Sequence, residues 1–270
     1  MPDFAERAIS LAALTVLEAG PFEQVRIARR CGYSHVGLRP VAATPVEPHT
    51  AILSDRHLRS ELRALLDGEG IGVLDCEIVR LTDAIDWDAM QAVIDFTQEF
   101  GCRLLLVADN DPDPVRSSAS LAKLAELSRP AGVTPCLEFM PWTCSPNLAA
   151  ARARIEDVRG AALLIDAFHL ARSGSSPSDL ADRDPDVAYL QLCDIAGPVP
   201  DLDAILDEAR SNRLFPGEGD IDLPTLLARF PGLPISLEVP ADRLRDAGVT
   251  AQERARMAFD AARTLLHADA

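Results

Sequence analysis

The chain alternates short, nearly unbroken apolar runs with longer runs whose apolar residues recur at helical spacing. An unbroken run predicts a strand buried on both faces. Spacing of three and four predicts an amphipathic helix lying against it. Read this way, strands are predicted at 11–17, 35–39, 71–79, 102–108, 133–139, 161–166, 187–193 and 235–239. Helices are predicted at 21–31, 55–67, 87–100, 115–127, 147–158, 202–209, 223–230 and 251–267, with a short one at 178–181. Gly32 and Gly101 stop two of these helices, the glycines of 68–72 break another, and Asn147 reads as an N-cap. Segment 40–54 carries Pro40, Pro45 and Pro48 and reads as an irregular loop.

Strands and helices in strict alternation over this length predict one α/β unit, a single (β/α)8 TIM barrel over 1–270. The rival, a doubly wound sheet, brings a glycine-rich first turn for a nucleotide. The turn here, Leu17-Glu18-Ala19-Gly20-Pro21, has no such pattern, and no phosphate-binding P-loop motif follows.

Four of the strand-like runs end on an oxygen donor: Leu137-Glu138, Ile165-Asp166, Leu190-Gln191 and Leu237-Glu238. A polar residue at the end of a buried strand does not serve the core. In a barrel, the C-terminal strand ends surround the one opening where ligands bind. Three carboxylates gathered there repel one another unless a cation or shared protons offset them. A hard divalent ion fits an oxygen-rich set, so Glu138, Asp166, Gln191 and Glu238 are the expected ligands of one Mn²⁺ or Mg²⁺, with Co²⁺ next and Zn²⁺ less suited. His169, three residues after Asp166, is the expected acid/base, with Glu138 and Glu238 as further catalytic carboxylates. Arg213 lies in a loop before the last strand, and Glu77, Arg39 and Arg80 lie near early strand ends; these and Trp142, an apolar wall, are the expected substrate contacts. His35, His49, His57 and His267 show no pairing pattern.

The net charge of −16 opposes nucleic acid and anionic membranes as partners and leaves a small molecule. No run approaches a membrane span, and the first residues show no basic stretch leading into an apolar one. The six cysteines are scattered without a CxxC pair, which predicts reduced thiols and a cytoplasmic protein. A homodimer is the expected assembly, because closed dimers are common.

The segments Leu137-Glu138-Phe139-Met140-Pro141-Trp142, Asp166-Ala167-Phe168-His169, Gln191-Leu192-Cys193-Asp194, Pro216-Gly217-Glu218-Gly219 and Leu237-Glu238-Val239-Pro240 resemble the xylose isomerase-like TIM barrel family. That group includes sugar phosphate isomerases and epimerases, inosose dehydratase and endonuclease IV. The resemblance implies a divalent ion on Glu138, Asp166, Gln191 and Glu238, with His169 and Arg213 touching substrate. Two departures bear on the branch. Many ketose epimerases of the family carry histidine where this chain has Gln191, and a second glutamate where it has Cys144. Glutamine at the third ligand position is similar to the 3-dehydroshikimate dehydratases. Endonuclease IV is richer in histidine ligands than a chain with five histidines and this charge. The first expectation is a metal-dependent isomerase or epimerase of a small polyhydroxylated carbonyl compound, working by proton removal next to the carbonyl. The second is a lyase such as 3-dehydroshikimate dehydratase, whose substrate carboxylate Arg213 or Arg80 would meet. The third is a barrel that binds a metabolite without turnover.

Overall fold

A computed structural model describes residues 7–44 and 47–268. Eight parallel strands close into a barrel in sequence order: β1 (Ile9–Leu11), β2 (His35–Leu38), β3 (Gly72–Leu81), β4 (Leu104–Asp109), β5 (Thr134–Glu138), β6 (Ala162–Asp166), β7 (Val187–Leu192) and β8 (Ile235–Leu237). Around them run α1 (Gly20–Cys31), α2 (Arg56–Glu69), α3 (Trp87–Glu99), α4 (Pro114–Ser128), α5 (Leu148–Ile155), α6 (Ala167–Arg172), α7 (Leu202–Ser211), α8 (Leu223–Arg229), α9 (Asp242–Asp246) and α10 (Ala251–Ala268). No helix among the described residues is long and apolar enough to cross a membrane.

Side chains alternate across each strand, and the alternation places the site. Leu137, Ile165, Leu190 and Leu237 face outward into the large apolar layer under the helices. Cys136, Leu164 and Tyr189 face inward and plug the barrel with Leu74 and Leu106. Two residues further along β5, β6 and β7, the same inward face presents Glu138, Asp166 and Gln191. Glu238 follows two residues after Ser236 on β8 in the same way. The donors are therefore the layer immediately above the apolar plug.

The first apolar run departs from the expected strand. Only Ile9–Leu11 is extended, and Ala13–Ala19 turns as a 3-10 helix. Thr15 is the reason: its hydroxyl donates to the Leu237 carbonyl (2.8 Å) and accepts from the Val239 N–H (2.8 Å), drawing the chain across the end of β8. An apolar run of this length does not distinguish a strand from a helical turn. Gly68 lies inside α2, and the left-handed Gly70 ends that helix. Helices α6 and α9 fall where no helix was expected, while segment 178–181 reduces to a 3-10 turn at Pro177–Asp179. All six cysteines are free, five of them buried.

Candidate metal and substrate site

Asp166 does two jobs at once. It is the last residue of β6 and the N-cap of α6, where its Oδ1 accepts the Phe168 N–H at 2.7 Å. Because the helix begins there, the residue three positions on returns to the same side. His169 Nε2 lies 3.7 Å from Asp166 Oδ2 and 3.6 Å from Glu138 Oε1. Donor atoms of Glu138, Asp166 and His169 all fall within 4.8 Å of one another. Gln191 is level with Asp166 in the β6–β7 register.

Four buried polar groups here have no partner among the described residues: Glu138 Oε1, His169 Nδ1, and both Gln191 Oε1 and Nε2. A buried donor or acceptor left unpaired costs about 1–3 kcal/mol, so this concentration marks a place shaped for something else. Two carboxylates and an imidazole within 4.8 Å of one another are a donor set that suits a divalent ion.

Arg213 closes the ring from the side. It donates to Asp166 Oδ2 at 2.7 Å and to the Ala209 carbonyl at 2.9 Å, forms an ion pair with Glu238 Oε2 at 2.9 Å, and stacks over the Phe168 ring. Its guanidinium, expected to greet substrate, is thus engaged by the protein's own carboxylates. An oxygen accepting from Arg213 still keeps a lone pair for a cation, so this pairing and an ion are compatible. The loop that delivers Arg213 is stapled by Asp194, whose carboxylate accepts from the N–H groups of Ile195, Gly217 and Ile221. At Gly219 a Cβ would lie 2.2 Å from the Ile195 carbonyl oxygen. The Pro-Gly-x-Gly segment therefore needs its last glycine for close approach.

Protonation follows from burial. Desolvation, then the charges of Asp166 and Glu238, raises the Glu138 carboxyl well above the usual range. Desolvation raises Glu238 to about 7 against the pull of Arg213. Burial lowers the His169 imidazole to about 3, so it is neutral at physiological pH. Trp142 and Phe168 hold its ring edge-on, with centroids 5.1 and 5.2 Å away.

A cavity of about 380 Å³ opens above this layer. Glu138, His169, Arg213 and Glu238 line it, as do all the other expected contacts: Glu77, Arg39, Arg80 and Trp142. Arg39 is bound to Glu77 at 2.5 Å and Glu47 at 3.1 Å, and Glu77 also accepts the Ala13 N–H. Arg80 donates to Asn110 at 3.0 Å. Cys144 is outside the lining; its N–H is spent on the Asp109 carbonyl. The sequence reading missed Arg210 and Glu47, which also line the cavity. It also missed Asp75, fully buried in the barrel with Tyr189 donating to it at 2.9 Å. The position of Arg210 in the last turn of α7, three residues before Arg213, was the available signal for it.

A family model described as xylose isomerase-like TIM barrel matches residues 25–264. A 3-dehydroshikimate dehydratase of Pseudomonas aeruginosa is 30% identical over 187 residues, 64% of this chain and 28% of that protein. The match thus spans under a third of that relative's length. The solved structure of the IolI protein with a bound zinc atom superposes with a TM-score of 0.81 over 97% of this chain and 98% of its own, at 18% identity. L-ribulose 3-epimerase superposes with a TM-score of 0.65 over 97% and 95%, at 17% identity. At these identities the two structures establish the fold.

Proposed function

Because the chain belongs to the xylose isomerase-like TIM barrel family, we propose that it is a divalent-metal-dependent enzyme removing a proton next to the carbonyl of a small polyhydroxylated compound. Of the two outcomes, loss of water, as in a 3-dehydroshikimate dehydratase, takes precedence over isomerisation or epimerisation. Gln191 carries this choice: fully buried, level with Asp166, with both amide atoms unpartnered. The dehydratase name of the Pseudomonas relative supports it further.

Glu138, Asp166, Gln191 and Glu238 would hold the ion. A bound divalent ion supplies positive charge against the negative charge that develops as the proton leaves. Neutral His169, fixed between two aromatic rings, takes that proton. Handing it to the departing β-hydroxyl breaks the C–O bond, forms a C=C bond and releases water. Arg213 keeps Asp166 and Glu238 aligned during the step. Mn²⁺ and Mg²⁺ suit the donor set best.

Metal analysis of wild-type protein beside Gln191→Ala and Glu238→Ala tests the ligand set. About one ion per chain in wild type and loss in both variants is the expected result. The absorbance of an aromatic product from 3-dehydroshikimate then tests the lyase. Metal without product returns the isomerase or epimerase to first place, and a wild type that refuses Mn²⁺, Mg²⁺ and Co²⁺ removes the metal-dependent reading.

A further inference from the structure

The cavity holds four arginines, and they divide into two kinds. Arg213 is matched by Asp166 and Glu238, and Arg39 by Glu77 and Glu47. Arg80 and Arg210 line the same cavity, and among the described residues neither pairs with a carboxylate. Arg80 is half-buried at the end of β3, with one bond to the neutral Asn110 side chain. Arg210 is exposed on the last turn of α7. The two are near enough to feel each other: burial holds the Arg80 guanidinium below its usual value, the Glu138 charge opposes this, and the Arg210 charge adds to it.

Two guanidinium groups facing one cavity with no ion pair of their own keep their donors free for a ligand that brings negative charge. Glu47, Glu77, Glu138 and Glu238 line the cavity too, but Glu47 and Glu77 are paired with Arg39 and Glu238 with Arg213, and among the described residues none of the four forms an ion pair with Arg80 or Arg210. A guanidinium fork matches a planar or tetrahedral oxyanion.

We infer that the substrate is anionic and that Arg80 and Arg210 hold its oxyanion on the solvent side of the carboxylate layer. This rests on the proposed reaction for its location and assigns the specificity to residues outside the ligand set. Under the lyase reading the oxyanion is a carboxylate; under the sugar-phosphate reading it is a phosphate. Either way, the anchor fixes which carbon of the substrate reaches His169.

Calorimetry on Mn²⁺-loaded protein tests this with two probe pairs: 3,4-dihydroxybenzoate against its methyl ester, and fructose 6-phosphate against fructose. Wild type should bind the charged member of at least one pair about tenfold or more tightly. Arg80→Gln and Arg210→Gln should each remove most of that preference, while Arg80→Lys retains a part of it. The pair showing the preference identifies carboxylate or phosphate. Equal binding of both members in both pairs, or a preference untouched by both substitutions, overturns the inference. Arg210 is exposed, so its variant reports binding even if Arg80→Gln folds poorly. A charge preference that persists while 3-dehydroshikimate is not turned over leaves the anionic anchor standing and removes only the dehydratase reading.

Discussion

At Asp75 the barrel interior sets a proton equilibrium. The side chain is fully buried beside Tyr189, and its Oδ1 has no partner. Desolvation first, then the Glu77 charge, raises its carboxyl to about 8. An unfolded aspartate titrates near ~3.9. The folded state therefore keeps a proton that the unfolded chain has released. Stability from this group is fully present below about pH 4 and is lost as the pH climbs toward about 8. Asp75→Asn carries no such proton and keeps an oxygen for Tyr189. Its melting temperature should gain on wild type steadily between pH 5 and pH 8. Melting curves of the two proteins that stay a constant distance apart over that range would refute the buried, protonated carboxyl. The same local logic explains His169, whose neutrality comes from burial between Trp142 and Phe168.

At the scale of elements, the site depends on where a strand stops and what the next segment does. β6 passes directly into α6 through one residue, and that single joint aims both Asp166 and His169. On the other side, the 215–221 loop is folded tightly over Asp194, and Gly219 touches the Ile195 carbonyl so closely that no side chain fits. Gly219→Ala should force the loop off Asp194 and shift Arg213, which the same bridge of backbone bonds between Asp194 and Leu214 positions. A loss of about 1–3 kcal/mol in urea unfolding is expected, together with weaker metal retention. Wild-type stability and metal content in this variant would show that the loop tolerates a methyl group.

For the whole molecule, the closed barrel gathers carboxylates whose ionisation burial opposes. Glu238 sits at about 7 and Glu138 higher. A divalent ion bound as proposed would therefore displace protons, and its affinity would rise with pH by up to about tenfold per unit for each proton released. Mn²⁺ should raise the melting temperature clearly at pH 8 and much less at pH 6, because an ion stabilises the fold in proportion to its site occupancy. Equal stabilisation at both values would mean that the ligands are already ionised. The overall charge of −16 acts in the same direction, favouring cations over anions around the molecule.

The barrel and its donor layer were legible in the chain itself. Buried strands write themselves as apolar runs, period-two alternation carries the inward face from Tyr189 to Gln191, and a polar residue at a strand end stands out against it. The N-cap and helical start after Asp166 went unread, because one residue served as both strand end and cap. What the arginines do was decided by the tertiary structure alone. Arg213 meets a carboxylate 47 positions away and Arg39 one 38 positions away, while Arg80 and Arg210 form no ion pair among the described residues. Asp75 finds Tyr189 across 114 positions. Local pattern determines which face a side chain takes, since that depends on its neighbours in the strand. Partners and protonation depend on closure of the barrel, which brings distant charges together and removes the water that would otherwise screen them.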